Sequence, residues 1–427
     1  MDITALIIAI VVFISLYITI VWVSFLYLWE PKRVTKKGLP NVTIVIPAYN
    51  EEEGIEKTIS SVVSLDYPKN KLKIVVVNDG STDRTGEVAE ELIKKYEKEY
   101  YYEKENNLEH NFKVNFEIIN KKNDGKAKAL NVALEKCSTE LFACVDADSY
   151  VEKDSLIKMI PHFEGANIGA TISAIKVNEP KNIYEKLQRM EYILAIMTRK
   201  LMAFINTLSV TPGVLSVYRT DVLKTVKGFD EKSLTEDFEI AMRLKYYGYD
   251  IDIETSAITY TNVPDNFSKL WRQRVRWYRG FVESHKKYRQ MFLNKRFGFL
   301  AYFQLPLNVI GILLLIGSVV FVSYGSLFNI YYFIRRAMLI KGYFWTHIIG
   351  YTKLKDIILT YNAKIMIPVI IALFLGILIF YLAHKEVREK IRYPFTIWAF
   401  FVILPVLTAL HWLGALTEEA LKLKKKW

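Results

Sequence analysis

The chain has 427 residues, of which 52% are hydrophobic and 24% are charged, and its mean hydropathy is +0.14. Both fractions are high together only if apolar and charged residues are segregated, which predicts membrane spans attached to a soluble domain. The net charge of +12 suits anionic lipids or phosphorylated substrates. No nucleic-acid-binding motif is recognisable, so no nucleic-acid partner is expected. Cys137 and Cys144 lack zinc-site spacing and are interpreted as reduced packing residues of a cytosolic domain.

The first predicted element is a membrane anchor within residues 1–30. Residues 3–28 are almost entirely apolar and long enough to cross a hydrocarbon core of ~30 Å. No basic residue precedes them and no small-residue cleavage site follows, which favours an uncleaved anchor over a signal peptide. Four basic residues within 31–37 place that flank in the cytoplasm. We therefore expect an integral protein of the cell membrane with its next domain in the cytosol.

Residues 40–260 alternate between apolar strand-like runs and amphipathic helix-like stretches, as a parallel α/β sheet requires. Ligands of such sheets bind beyond the carboxyl ends of the strands. Polar residues follow three predicted strands there, which predicts a nucleotide crevice: Tyr49 and Asn50, then Asp79, then Asp146 and Asp148. No G-x-G-x-x-G or P-loop pattern is present, which counts against dinucleotide-binding and P-loop folds.

The pair Asp146 and Asp148 follows the buried run at 141–145. Residues two apart on an extended backbone share a face, so both carboxylates are able to hold one hard cation, Mg²⁺ or Mn²⁺, together with a diphosphate. Taken alone, the pair is more typical of a strand end followed by a turn. Gly125 and Lys126 begin the third predicted helix and suit a phosphate, although a solvated first turn explains them equally well.

A further helix is predicted to begin after Ser233, with Thr235 as its N-cap and Glu236 and Asp237 in its first turn. Capping and the helix dipole explain these acids without catalysis. The functional alternative is that one of the two carboxylates removes a proton from an acceptor hydroxyl.

The stretch 270–279 is dense in arginine and aromatic residues at helical spacing, which is typical of an interfacial helix on anionic lipid. Gln273, Arg276 and Trp277 lie at positions i, i+3 and i+4 and therefore share one face. An aromatic ring stacks on the C–H face of a sugar, and arginine grips a diphosphate in bidentate fashion. We assign residues 261–298 to such interfacial helices.

Four segments, in this order, resemble the successive motifs of the family 2 glycosyltransferases: IPAYNE at 46–51, NDGSTD at 78–83, DGKAKALN at 124–131 and DAD at 146–148. In addition, residues 273–277 match the Q-x-x-R-W motif of the membrane-embedded members that extend chains, namely cellulose, chitin, poly-N-acetylglucosamine and hyaluronan synthases. The resemblance implies a GT-A fold, an α/β Rossmann-like nucleotide-binding half followed by an acceptor-binding half, joined here to an α-helical transmembrane region.

The resemblance also implies roles for individual residues. Asp237 would be the catalytic base, with Glu236 beside it, and Asp146 and Asp148 would hold the metal-bound diphosphate. Trp277 and Gly213 would contact the acceptor, although Pro212 stands before Gly213 where extending synthases usually show a collar with Phe and Cys. The remaining residues expected to bind the nucleotide sugar are Pro47, Ala48, Tyr49, Glu51, Asp79, Lys126, Gln273 and Arg276.

After residue 299 the chain returns to apolar segments, and spans are predicted at 299–323, 365–383 and 394–413. The positive-inside rule places both 384–392 and 423–426 in the cytoplasm. Three simple crossings do not satisfy both placements, which leaves two alternatives open: a re-entrant last segment or an exceptional tail.

The predicted function is an inverting, metal-dependent membrane glycosyltransferase that uses a UDP-sugar and extends a polysaccharide or oligosaccharide, with the spans forming a passage for the product. One alternative is a single transfer to a lipid acceptor such as a polyprenyl phosphate or a glycolipid, and product length separates the two. A second alternative is a non-catalytic nucleotide-sugar-binding subunit, which binding without turnover would reveal.

Overall fold

The structure is a computed structural model that describes residues 3–28, 38–105, 115–165, 167–345, 363–391 and 394–423. Its strands are β1 Val42–Ala48, β2 Leu72–Asp79, β3 Asn115–Lys121, β4 Leu141–Val145, β5 Ser149–Val151, β6 Ile168–Val177, β7 Val214–Arg219 and β8 Asp250–Thr261. Its helices are α1 Ile3–Leu28, α2 Ile55–Val63, α3 Thr85–Glu105, α4 Lys126–Glu135, α5 Ser155–Met159, α6 Ile183–Phe204, α7 Thr220–Thr225, α8 Glu236–Tyr246, α9 Phe267–Lys287, α10 Leu305–Leu339, α11 Ala363–Glu386 and α12 Pro394–Ala420.

The strands form one sheet in the order β3-β2-β1-β4-β7-β6-β8-β5. The first four are parallel, as predicted for the nucleotide-binding half. The second half is mixed: β7 runs antiparallel to both β4 and β6, whereas β6 and β8 are parallel. A purely parallel sheet was therefore a wrong expectation for residues beyond β4.

The sheet is covered on both faces because its central strands carry apolar residues at almost every position. All seven residues of β1 and all five of β4 are buried. Alternate side chains of a strand point to opposite faces. Val42, Ile44 and Ile46 accordingly join the hydrophobic cluster that includes α2 and α3, whereas Val45 joins the cluster that includes α4.

The sheet and the apolar helices meet through α6 and α9. Helix α6 packs against β6 and β8 on one side and against α11 and α12 on the other, while α9 packs against α8 and α12. Among the described residues, two helices are long and apolar enough to cross a membrane, Leu300–Leu339 and Phe395–Ala420. The predicted anchor is helical in α1, and its basic flank at 31–37 lies outside the described residues.

Candidate active site

The acids that follow β4 lie at the carboxyl end of this central strand, where its pairing with β7 is irregular. The pairing of β4 with β7 shifts register between Cys144 and Val145, and the backbone N–H of Asp146 then donates to the carbonyl of Gly213 at 3.1 Å. A Cβ added to Gly213 would lie 2.5 Å from Oδ1 of Asp146. The structure thus places Gly213 directly against Asp146, where only glycine leaves room for the carboxylate.

Lys126 joins the two halves of the crevice. Its Nζ lies 2.5 Å from Oδ1 of Asp146 and 3.1 Å from Oε1 of Glu236. Burial alone would lower the pKa of Lys126, but the charges of Asp146, Glu236 and Asp237 outweigh it and raise the pKa well above its ordinary value. Lys126 is therefore a permanent cation between the strand-end acids and the first turn of α8.

A second group of acids at this edge, Glu51 and Asp148, makes no ion pair with the residues that the structure describes. Burial, followed by the charges of Asp148 and Asp146, raises the pKa of Glu51 to about 7. Burial and Asp146 likewise raise the pKa of Asp148, although Ser149 Oγ donates to it at 2.9 Å. Like charges in a buried site disfavour ionisation of one another. A bound divalent cation would relieve this repulsion.

The residues present fit a divalent cation as a site shared with substrate. Within the described part of the chain, no group of three or more His, Cys, Asp or Glu side chains is arranged to hold a metal ion. A cation here would take Asp146 and Asp148 as protein ligands and complete its coordination with substrate and water oxygens, which is how Mg²⁺ commonly binds.

The two acids at the start of α8 occupy different environments. Glu236 is buried and paired with Lys126, and although burial would raise its pKa, Lys126 lowers it below the ordinary value. Burial and Glu236 raise the pKa of Asp237 to about 6, against the opposing effects of Lys126 and Arg276. Glu236 thus remains ionised and paired, whereas Asp237 has the pKa expected of a general base.

Thr235 occupies the N-cap position of α8, as predicted, but caps the helix through its backbone carbonyl alone. Its side chain makes no capping hydrogen bond, and its Oγ1 is buried without a partner. The reason is the approach of α9: a Cβ added to Gly280 would lie 2.6 Å from Cγ2 of Thr235. Thr235 therefore packs against the backbone of α9 and fixes α8 next to the helix that carries the Q-x-x-R-W motif.

The three motif residues of α9 share one helix, as predicted. Arg276 donates to the carbonyl of Leu234 at 3.4 Å, and its charge lowers the pKa of both acids at the start of α8. Gln273 has a buried Oε1 without a hydrogen-bond partner. The guanidinium of Arg274 lies 4.4 Å from the ring centroid of Trp277, which adds a cation–π contact that fixes this ring.

Residues predicted to contact the base and ribose are divided between the core and the surface. Asp79 is buried, pairs with Lys121, and accepts from the backbone N–H groups of Asp124 at 3.1 Å and Gly125 at 2.9 Å. In this structure it fixes the turn that presents Lys126. Pro47 and Ala48 lie within buried β1, and Tyr49 just beyond it is exposed.

Glu239 joins two helices of the candidate site and was not predicted from the sequence. This buried acid of α8 accepts from Nζ of Lys287 at 2.5 Å and from the hydroxyl of Tyr288 at 2.6 Å, and it pairs with Arg243. It therefore ties α8 to the end of α9. The only signal in the sequence is an additional acid one helical turn after Glu236.

Two family models match the chain. "Glycosyl transferase family 2" matches residues 43–227, and "Glycosyl transferase family group 2" matches residues 141–413. The chain belongs to the family 2 glycosyltransferases, and the predicted GT-A fold with an apolar helical region is confirmed.

Curated relatives include poly-beta-1,6-N-acetyl-D-glucosamine synthases. That of Staphylococcus epidermidis is 33% identical over 245 residues, which are 56% of this chain and 54% of the relative. That of Staphylococcus aureus (strain COL) is 32% identical over 248 residues, 57% of this chain and 55% of the relative. The chain thus matches little more than half the length of these relatives.

Among solved structures, the mannosyltransferase PcManGT from Pyrobaculum calidifontis, in complex with GDP-Man and Mn²⁺, aligns with a TM-score of 0.61 at 17% identity. The alignment covers 98% of this chain and 99% of that one. The likeness shows that the two chains share a fold.

Proposed function

We propose that the protein transfers a sugar from a UDP-linked donor to a growing polysaccharide or oligosaccharide, at the cytosolic face of the cell membrane. The observation that carries the proposal is the connection of Asp146 to Glu236 through Lys126, with Arg276 close enough to act on Asp237. These contacts support a single site that combines the strand-end acids with Arg276 of the Q-x-x-R-W helix. The poly-beta-1,6-N-acetyl-D-glucosamine synthases among the relatives support a polysaccharide product.

Asp146 and Asp148 would hold Mg²⁺ or Mn²⁺ together with the donor diphosphate. Mn²⁺ is present in the complex of the structurally similar mannosyltransferase, which supports a divalent cation. When bound, such a cation neutralises charge on the departing diphosphate. Lys126 and Arg276 would add positive charge near the diphosphate. The Oε1 of Gln273, which has no hydrogen-bond partner among the described residues, would accept a hydrogen bond from the substrate.

Asp237 would accept the proton of the acceptor hydroxyl as that oxygen attacks the anomeric carbon, which inverts its configuration. Its pKa of about 6 keeps it ionised at neutral pH and close to the range in which general bases are most effective. Trp277, held by Arg274, would seat the acceptor sugar against its ring.

The test is a turnover assay on the purified full chain with UDP- and GDP-sugars, with Mg²⁺ or Mn²⁺, reading nucleotide release and product size. Asp237→Asn should lower the rate by about 10²–10⁴-fold because the general base is lost. Glu87→Gln, an exposed acid on α3, is the matched control and should retain full activity.

Retention of full activity by Asp237→Asn would overturn the base assignment. A ladder of sugar lengths supports extension, whereas one discrete glycolipid would establish the single-transfer alternative. Donor binding without turnover at any metal concentration would overturn the enzymatic proposal itself.

A further inference from the structure

Helix α12 is apolar enough to be a third C-terminal span, yet both of its flanks contact the catalytic domain. On the N-terminal flank, Glu389 pairs with Arg189 of α6 and lies 3.3 Å from Nζ of Lys176 in β6. Just before it, Glu386 lies 2.6 Å from Nζ of Lys200 and accepts from Thr255 Oγ1 at 2.8 Å. The chain therefore enters α12 on the catalytic side.

The C-terminal end of α12 returns to the same domain. Arg279 of α9 is buried, and its Nη1 donates to Glu418 at 2.8 Å while its Nη2 donates to the carbonyl of Leu423 at 2.7 Å. Lys286 of α9 lies 2.9 Å from Glu419. These contacts fix the chain beyond α12 to the helix that carries the Q-x-x-R-W motif.

Between its ends, α12 lies along α6 and α9. Phe400 packs in one cluster with Leu187 of α6. Further along, the ring of Trp412 stacks on Tyr278 of α9 with centroids 4.2 Å apart, and a Cβ added to Gly414 would lie 2.7 Å from the ring of Trp271. Because α6 and α9 themselves pack on the sheet and on α8, contact with both along its length holds α12 against the catalytic domain, where it also contacts α10.

The two faces of α12 differ in their surroundings. The face toward α6 and α9 is buried and includes Phe400, Trp412 and Ala415. The opposite face is mostly exposed and apolar, although its small residues Ala399 and Ala409 are buried. Its exposed residues at helical spacing include Phe395, Trp398, Val402, Val406, Leu410, Leu413 and Leu416. Such a stripe on a soluble surface would drive aggregation, whereas an interfacial helix buries it in lipid. Exposed Lys390 and Lys422 stand at its two ends, where anionic head groups would meet them.

We propose that α12 lies in the membrane plane, with its exposed apolar face in the leaflet next to the catalytic domain, and does not cross the bilayer. The crossings are then α1, α10 and α11. This arrangement places the segment around Lys390 and the C-terminal segment on the catalytic side together, and it does not depend on the reaction proposed above.

Single cysteines introduced into the full chain in intact cells test the crossing, with a membrane-impermeant maleimide as the probe. Lys390→Cys, Lys422→Cys and the catalytic-domain reference Lys153→Cys should all react only after the cells are permeabilised. Met338→Cys, at the far end of α10, should react in intact cells. The unaltered chain is the blank because Cys137 and Cys144 are buried. Any pattern in which position 390 or 422 differs from 153 overturns the proposal.

Nitroxide labels at Trp398→Cys, Val406→Cys and Leu413→Cys test the orientation in anionic lipid vesicles. A helix that crossed upright would separate the first and last labels by about 22 Å in depth, at 1.5 Å per residue. An in-plane helix leaves all three at one shallow depth. The matched control is Leu313→Cys and Leu327→Cys on α10, about 21 Å apart and expected at different depths. A depth gradient along α12 like that of α10 overturns the proposal.

Discussion

The acids at the sheet edge and the acids beside the apolar helices have opposite charge environments. At the edge, Glu51 and Asp148 have raised pKa values because both are buried and because Asp146 adds negative charge, while Lys126 pairs with Asp146 and Glu236. Beside the apolar helices, Glu386, Glu389 and Glu418 each face a buried or half-buried cation. Each acid of the second group is paired with a protein cation, whereas Glu51 and Asp148 of the first make no ion pair with the described residues.

The largest effect should come from Asp146→Asn. Because a cation ligand and the partner of Lys126 are both lost, nucleotide release should fall by roughly 10³-fold, comparable to removal of a major electrostatic contributor in other enzymes. The free energy of unfolding should change by less than about 1 kcal/mol, because relief of repulsion offsets the lost ion pair. Turnover per folded molecule and chemical denaturation measure the two effects, with exposed Asp66→Asn as control.

The activity of the unaltered protein should depend on the ionisation of Asp237. Since its pKa is about 6, the ionised base is complete above that value and is lost as the pH falls. The rate should therefore drop about tenfold per pH unit below pH 6. A pH–rate profile with saturating donor and metal measures this, and a profile that stays flat down to pH 5 would contradict it.

Glu51→Gln should stabilise the metal-free protein at high pH. The folded pKa of Glu51, about 7, lies above its ordinary 4.5, so the folded state binds the proton more tightly and stability falls as the pH rises between those values. At pH 8 the substitution should raise the free energy of unfolding by up to about 3 kcal/mol, and the gain should vanish near pH 4.5. Denaturation in EDTA measures both, and a gain independent of pH would exclude this cause.

The smallest effect should come from Glu389→Gln, on the other side of the comparison. Loss of a charged partner of Arg189 should destabilise the fold by roughly 1–3 kcal/mol, while turnover per folded molecule stays unchanged. Lys390→Gln, at an exposed neighbouring position, should be neutral for both. Loss of activity without loss of stability in Glu389→Gln would place that acid in the catalytic machinery instead.

The sequence allowed prediction of those site residues whose position follows from strand direction. Asp79 and Asp146 stand at the carboxyl ends of β2 and β4, which are both parallel to β1 between them, and chain direction alone brings such ends to one side of the sheet. The N-cap position of Thr235 was predictable, but its packing against Gly280 in place of a side-chain cap was not, because that is a tertiary contact between segments that no local pattern connects. The direction of β7 was missed for the same reason.

The apolar helices were predictable in position and not in orientation. Hydropathy gives the length of an apolar segment, and length is the same for a helix that crosses a bilayer and for one that lies along it. The distinguishing information lies in ion pairs such as Arg279 with Glu418, which join residues 139 positions apart.

The contact of Gly280 with Thr235 leaves no side-chain layer between α9 and the loop that leads into α8. A tilt imposed on α9 by a thinner or more curved membrane would reach Asp237 undamped, because close-packed atoms transmit displacement instead of absorbing it. With α9 on the membrane surface, the proposed chemistry at Asp237 would thereby be mechanically linked to the physical state of the lipid.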